Sequence, residues 1–253
     1  MRVLIFALII TLFLISGCTN KNNKDRYRVI KTYYDNGNVE YEIQMLNDSI
    51  PHGQTVGYYP NGKLKLKKNY IKGIASGWRY DYFENGCLED MIHFDNGFRN
   101  GNSFWFYSSG ILKEESNWIN DSLFGNAIYY FENGKIDTYS CNDYNGDCFY
   151  LIKFDTTGNK IREEGELLAQ ILVNGDYRNF PISRQMSLKI ISASPPNYKV
   201  IVSIGLIKNG KMENTQYLKV QDNVSYFNYN FTTKGEYTFV TIVRLNDHDG
   251  VLG

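Results

Sequence analysis

The stretch Tyr58–Lys65, YYPNGKLK, places two aromatic residues before an Asn-Gly dipeptide and an aliphatic residue two positions after it. Asn-Gly between such flanks predicts a β-hairpin, because a type I′ turn needs positive φ at both of its central residues. The same arrangement recurs at a nearly constant distance. Its glycines, 24 or 25 residues apart, are Gly37, Gly62, Gly86, Gly110, Gly134 and Gly158. A period of this size indicates stacked copies of one supersecondary unit.

Each unit contains a second turn midway, marked by another glycine on the same period. These glycines are Gly53, Gly77, Gly101 and Gly125. The two aromatic residues before the first turn are adjacent, so in a strand they point to opposite faces. Each unit therefore predicts two short strands and two turns. We expect consecutive units to stack into one elongated antiparallel sheet over residues 29–165.

The period stops near Gly165, and a different pattern follows. Short alternating runs such as Val200–Leu206 and Tyr237–Leu245 are separated by turn residues, which is typical of a β-sandwich. Lys234–Phe239, KGEYTF, resembles the tyrosine-corner stretch of immunoglobulin-like domains. The predicted fold class is therefore all-β: stacked antiparallel hairpins, then a small Ig-like β-sandwich over 166–253. A small unrelated β domain is the alternative.

The units resemble MORN-type repeats in the divergent form found in bacterial envelope and antitoxin-annotated proteins. The resemblance rests on the aromatic pair, the Asn-Gly turn and the later glycine, and it extends from about Tyr33 to Glu164. Ser109-Gly110, Thr157-Gly158 and Phe149 depart from the pattern. The resemblance implies hairpin stacking and binding of a partner or lipid surface. An antitoxin or immunity role is a further implication.

The leader points to a membrane anchor. Residues 1–17 are predicted to be a signal peptide, because an apolar run too short to span a bilayer follows Arg2. Leu14–Cys18, LISGC, resembles the lipobox of bacterial lipoproteins, which implies acylation of Cys18. An ordinary signal peptide is the alternative. Residues 18–28 are then a flexible tether, and lipidated Cys18 holds the protein on the cell envelope. The outer membrane is favoured, with the periplasmic or surface face left open.

The composition favours a binding protein. The formal net charge is zero, which argues against a nucleic-acid partner. Aromatic residues make up 15% of the chain, and they fall on both faces of the predicted strands, which exceeds what one core needs. An aromatic binding surface for an unidentified protein is therefore predicted, with a purely structural packing role as the alternative. Its residues are Trp78, Tyr80, Tyr82, Trp105 and Trp118.

No catalytic or cofactor motif emerges from the sequence. Cys141 and Cys148 flank a loop-sized insert, so a disulfide is expected in an oxidising compartment and free thiols in a reducing one. His52, His93 and His248 lack the spacing of a zinc site. We therefore expect no enzyme activity, metal or cofactor. An envelope polymer hydrolase is a disfavoured alternative, since it would need clustered acids or a Ser/His pair in a cleft.

Overall fold

The computed structural model describes residues 26–173, 185–208, 211–231 and 237–247, and these form an all-β protein. The predicted signal peptide and most of the tether lie outside the described residues, while the first strand begins at Tyr27. The strands of the first part are β1 (Tyr27–Tyr33), β2 (Val39–Leu46), β3 (Ile50–Tyr58), β4 (Leu64–Ile71), β5 (Ile74–Ala75), β6 (Gly77–Tyr82), β7 (Leu88–Asp95), β8 (Phe98–Phe106), β9 (Leu112–Ile119), β10 (Ser122–Tyr130), β11 (Ile136–Asn142), β12 (Cys148–Phe154) and β13 (Lys160–Gly165).

These strands form one 13-stranded antiparallel sheet in sequence order, with short β5 paired only to β4. Apart from β5, each strand of this sheet therefore pairs with the strands before and after it in the chain, which confirms the predicted stack of consecutive hairpins. The sheet ends with β13, and the next strand belongs to a separate sheet.

The Asn-Gly turns differ from the prediction. The first has Gly37 at φ 83°, while Asn36 does not have positive φ. Tyr34 N donates to Asn38 O, and Gly37 N donates to Tyr34 O, each at 2.9 Å. This is a three-residue loop, a type I turn closed by a left-handed glycine. The type I′ prediction was wrong here, because the loop has three residues and positive φ occurs at Gly37 but not at Asn36.

That asparagine links one repeat to the next. Asn36 Nδ2 donates to Pro60 O at 2.9 Å, while its Oδ1 accepts from the backbone N–H of Asn38 at 3.0 Å. Asn85 and Asn133 likewise donate to backbone carbonyls of the next repeat, and Asn61 donates to the Glu84 side chain at Oε1. Tyrosine hydroxyls add a second ladder, in which Tyr34, Tyr59 and Tyr107 donate to backbone carbonyls of the next repeat at 2.6–2.7 Å. The 24-residue period is thus a hydrogen-bond repeat.

The true type I′ turns are the mid-repeat ones. Asn96 (φ 51°) and Gly97 (φ 87°) join the registered pair Asp95 and Phe98. Lys72-Gly73 makes an equivalent two-residue turn. The sequence therefore predicted both turns of each repeat but assigned type I′ to the Asn-Gly turn, where the structure has a three-residue loop.

The second glycine of each repeat sits in a β-bulge. In β8, three residues around Gly101 lie opposite the single residue His93 of β7. Gly101 has φ 91°, a left-handed conformation that side chains disfavour. His93 Nδ1 lies 2.8 Å from Asn100 O and fills the widened gap. On its other side Gly101 is paired with the aromatic Trp118 of β9. Such bulges bend the strand and increase its twist.

The second part of the chain forms two three-stranded sheets. Its strands are β14 (Leu168–Val173), β15 (Gln185–Ser192), β16 (Tyr198–Lys208), β17 (Lys211–Leu218), β18 (Val224–Asn230) and β19 (Thr238–Asp247). The sheet orders are β14-β15-β18 and β17-β16-β19, which match strands A-B-E and C′-C-F of an Ig-like sandwich. Buried Ile190, Ile204 and Phe227 form the core between them.

Of the predicted tyrosine corner, Lys234–Glu236 lies outside the described residues. Phe239, at the position of the immunoglobulin cysteine, packs against Phe227 with ring centroids 5.7 Å apart. Tyr237 packs on Phe231 at 4.8 Å. An aromatic cluster thus occupies the place where immunoglobulins have a disulfide.

The sandwich packs against the last hairpins of the long sheet. Buried Ala193 joins Ile128, Tyr139 and Ile152 in one core cluster. Asn223, 3% exposed, donates through Nδ2 to Asn126 Oδ1 at 2.8 Å and to Ser192 O at 3.0 Å. The backbone N–H of Ser194 donates to the Tyr139 hydroxyl at 2.7 Å. Apolar packing and buried hydrogen bonds therefore join the two parts.

The expected disulfide between Cys141 and Cys148 is absent, and both thiols are free. A register shift pairs Cys148 with Asn142 and leaves Cys141 opposite Tyr150. Because successive strand residues face opposite sides, this shift separates the two side chains. Cys141 is fully buried, and its sulfur lies 3.3 Å from Asn223 Nδ2. Burial raises the pKa of the Cys141 thiol to about 12.

Replacing Gly101 with alanine should destabilise the sheet by about 1–2 kcal/mol, because alanine must adopt the left-handed conformation. The space beside Gly101 is otherwise open, with His93 Nδ1 at 3.9 Å, so backbone strain alone is tested. Urea unfolding followed by tryptophan fluorescence measures it, since all three tryptophans lie in this sheet.

The matched control is Ser103→Ala in the same strand. The Ser103 hydroxyl is buried without a hydrogen-bond partner among the described residues, so its removal should be neutral or slightly stabilising. Equal stability of Gly101→Ala and wild type would contradict the bulge assignment.

Candidate binding surfaces

Strand registration assigns the side chains of the long sheet to two faces. The front face is the side that carries Trp78, Tyr80, His93, Phe104 and Glu115. The rear face is the side that carries Asp81, Asp90, Trp105, Glu114 and Trp118. The five residues predicted to form one binding surface are therefore divided between opposite sides of the sheet.

The front face holds an aromatic cluster that spans three strands. Trp78 of β6 stacks on Phe104 of β8 with ring centroids 6.5 Å apart and an interplanar angle of 28°. Its ring also meets His93 of β7 edge-on at 5.1 Å and Tyr80 at 6.4 Å. All four side chains are half-buried. Tyr82, the next alternate residue of β6, is half-buried as well and lies at a register shift.

The rear tryptophans form a second cluster with a structural role. Trp105 and Trp118 lie 6.5 Å apart, and the Arg99 guanidinium stacks 3.7 Å from the centre of the Trp118 ring. Trp118 Nε1 donates to Ser116 Oγ at 3.0 Å. Ser116 and Ser103 are buried on this face. The two rings therefore cover a floor of small polar residues.

The histidines of the long sheet support its turns and bulges. His52 Nδ1 accepts from the backbone N–H of Lys72 at 3.1 Å, and His93 fills the bulge at Gly101. In other repeats, the residue seven positions after the turn glycine also forms a hydrogen bond across the bulge. Asn117 Nδ2 donates to Phe124 O at 3.4 Å, and Gln44 Oε1 accepts from Gln54 N at 2.8 Å. His248 lies outside the described residues.

Sequence reasoning missed a pair of buried carboxyl groups on the rear face. Asp81 and Asp90 are registered partners across β6 and β7, and each is 9% exposed. Arg79 Nε lies 2.5 Å from Asp81 Oδ2. Burial first, and then the charge of Asp81, raise the pKa of Asp90 to about 7. The alternation of β6 and β7 places both carboxyls on one face, but their pairing depended on a register that sequence did not supply.

Asp81 and Asp90 are not among the lining residues of the cavities described around Trp78, Phe104, Phe124 and Tyr139. Glu114 follows on the same face beyond Trp105, and burial raises its pKa too. The three carboxyl groups therefore lie among the packed side chains of the rear face.

The front face ends in a cavity at the junction with the sandwich. Its volume is about 420 Å3. Its polar lining comes from three strands of the sheet and from the turn before β18: Asn102, Glu115, Asn117, Asn126, Asp222 and Asn223. Phe104, the stacking partner of Trp78, forms an apolar wall. A recurring asparagine signalled this site in the sequence, because Asn102 and Asn126 occupy the repeat position of Trp78.

The predicted anchor, Cys18, lies outside the described residues. In the part of the chain that the structure covers, no helix has the length and hydropathy needed to cross a bilayer.

Comparison with known families supports a MORN-repeat protein. Residues 29–47, 51–72 and 99–120 match the family model described as MORN repeat variant. These segments lie in the long sheet, between β1 and β9. A comparison with curated proteins found no match. MORN repeats generally bind proteins or membranes, and the family is not known for enzymes.

Replacing Asp90 with asparagine should raise stability at pH 8 by about 1–2 kcal/mol after allowance for screening by water. The pKa of Asp90 in the folded protein, about 7, is above its value in the unfolded chain, so the folded state holds the extra proton. Wild-type stability should therefore fall as pH rises from about 4 to 7. Asparagine removes this dependence, because its amide donates to Asp81 as the proton does.

Thermal unfolding at pH 5 and pH 8 tests this expectation. Asp95→Asn, an exposed carboxyl at the end of the same strand, is the matched control and should leave the wild-type pH profile unchanged. The carboxyl-pair interpretation fails if Asp90→Asn retains that profile.

Proposed function

We propose that this protein is an envelope-anchored lipoprotein that works as a non-enzymatic binding or scaffold protein and holds a protein partner on the front face of its repeat sheet. The observation that carries this proposal is the aromatic cluster of Trp78, Tyr80 and Phe104. Trp78 and Tyr80 lie on β6 and Phe104 lies on β8, with His93 of β7 between them. Tryptophan and tyrosine dominate the binding energy of protein interfaces.

The front face suits this role better than the rear face. The rear tryptophans are held by Arg99 and Ser116, so their rings serve the sheet itself. The front rings contact one another and His93. The sandwich packs around Ile128 and Tyr139, further along the sheet, and leaves the cluster half-exposed.

The anchor supports the same role. Several acyl chains on Cys18 would hold the protein stably on a membrane, whereas one chain would not. The polar segment Thr19–Asp25 lacks apolar residues and would act as a short tether. The repeat sheet, which begins at Tyr27, would then stand close to the membrane surface. No observation favours the antitoxin role, which rests on the family resemblance.

Trp78→Ala should weaken partner capture by at least about tenfold, because a central aromatic anchor contributes about 2 kcal/mol or more to an interface. The full chain is used as bait on solubilised membranes of the source cell, and captured proteins are quantified by mass spectrometry. The matched control is Trp105→Ala on the rear face, with folding checked by circular dichroism. Capture that survives Trp78→Ala but is lost in Trp105→Ala would transfer the role to the rear face.

Cys18→Ala should abolish lipidation and release the protein from membranes. The wild-type mature chain should begin at Cys18 and carry the added mass of its acyl chains, measured on the intact protein. Membrane fractionation provides the second readout. A wild-type chain that carries no added acyl mass would refute the anchor.

A further inference from the structure

We propose that the cavity at the junction of sheet and sandwich binds a neutral saccharide. The inference goes beyond the proposed protein partner, because it concerns a polar cavity beside the aromatic cluster, with which the cavity shares Phe104. The cavity volume of about 420 Å3 falls within the ~300–1,000 Å3 range of small-molecule pockets.

The polar groups of the cavity form an ordered row on the front face. Asn102 of β8 is the registered partner of Asn117 of β9, and Asn126 of β10 has the repeat position of Asn102. Each carboxamide offers both donors and an acceptor. Sugar hydroxyl groups also act as donor and acceptor together, so a row of amides matches adjacent hydroxyls along one ring edge.

Several of these atoms have no protein partner where the chain is described. Asn117 uses only its Nδ2, toward Phe124 O at 3.4 Å. Asn126 uses its Oδ1, which accepts from the Tyr139 hydroxyl at 2.7 Å and from Asn223 Nδ2 at 2.8 Å. The Asn126 Nδ2 donor, the Asn117 Oδ1 acceptor and the whole Asn102 amide are left for a ligand.

The charges of the cavity select against anions. Its two ionisable lining residues are Glu115 and Asp222, and no lysine or arginine belongs to the described lining. Glu115 Oε1 accepts from the Tyr130 hydroxyl at 2.6 Å, which holds the carboxylate in place. A carboxylate accepts strong hydrogen bonds from hydroxyl groups. A phosphate or an acidic sugar would meet these carboxylates as a like charge.

Phe104 supplies the apolar wall that a sugar ring requires. A pyranose has hydroxyl groups around its edge and C–H groups on its faces, so it packs one face against an aromatic ring. Phe104 of β8 is paired with Met91 of β7 on one side and with Glu115 of β9 on the other. A ring placed on Phe104 would therefore reach Glu115 and the Asn102–Asn117 pair with its edge.

The cavity is also held in shape before any ligand arrives. Asn223 is buried and engages three partners on both sides of the junction through Nδ2: Asn126 Oδ1, Cys141 Sγ and Ser192 O. Its turn is closed by reciprocal Gln221–Val224 backbone hydrogen bonds of 2.9 Å. A preorganised pocket loses less entropy on binding.

Isothermal titration tests the proposal with the full chain in a detergent that has no sugar headgroup. The probes are the neutral trisaccharides maltotriose and chitotriose, the acidic trigalacturonate, and the amine spermidine. We expect at least one neutral trisaccharide to bind in the millimolar range or tighter, with trigalacturonate at least about tenfold weaker, which corresponds to ~1.4 kcal/mol.

Asn117→Ala and Asn102→Ala should each weaken that binding about tenfold or more. Asn69→Ala is the matched control, because Asn69 has the repeat position of Asn117 and lies outside the cavity; it should bind as wild type. Phe104 is left unchanged so that the aromatic partner surface stays intact, and partner capture by the Asn117 variant should persist. A protein that binds the saccharide but no longer captures the protein partner would contradict only the partner proposal.

Three outcomes would overturn the inference. The first is binding of spermidine with no binding of either neutral trisaccharide, which would make this an ammonium site. The second is no binding of either trisaccharide by a wild-type protein whose circular dichroism and unfolding are normal. Equal binding by Asn69→Ala and Asn117→Ala would place any saccharide site elsewhere.

Discussion

The bulge at the second glycine of each repeat is the constraint on which the rest of the sheet depends. Gly101 at φ 91° lets three residues of β8 stand opposite one residue of β7. Every such bulge bends and twists the strand pair in the same sense, and the period repeats it along the array. A regular bend gives the two faces unequal room. Small residues such as Ser103 and Ser116 become buried on the rear face although no second layer covers them.

The unequal faces have different chemistry. The rear face forms the internal core of a single-layer sheet, and it includes Asp81, which forms an ion pair with Arg79, and its registered partner Asp90. Burial first, and then the charge of Asp81, raise the pKa of Asp90 to about 7, so the pair destabilises the sheet at neutral pH. The front face carries Trp78, Tyr80 and Phe104, the rings that we propose as a recognition surface.

The sequence predicted the stacked hairpins and the change of fold near Gly165, because a 24-residue period and alternating aromatics depend only on local geometry. The type I′ prediction for the Asn-Gly turn was wrong, because the loop at Gly37 has three residues. The Asn36 amide reaches Pro60 of the next repeat, a contact that the sequence of one hairpin does not reveal. The alternation of side chains along each strand shows that the predicted binding residues lie on two faces. The pairing of Asp81 with Asp90 could not be predicted, because it depends on the register between β6 and β7. The junction cavity could not be predicted from the repeats, because two of its lining residues, Asp222 and Asn223, come from the second part of the chain.

The sandwich completes the array in a way that a repeat alone cannot. Among the described strands, those of the sandwich do not pair with the edge strand β13, and the sandwich packs on the front face of the last hairpins. Here the last regular hairpin carries Cys141 and Tyr139 at the front-face positions where earlier repeats carry His93 and Met91. These buried groups would be costly to expose, and Ala193 and Asn223 of the sandwich cover them. The same covering turn brings Asp222 beside Asn126, so the contact that terminates the repeat core also creates the cavity next to it.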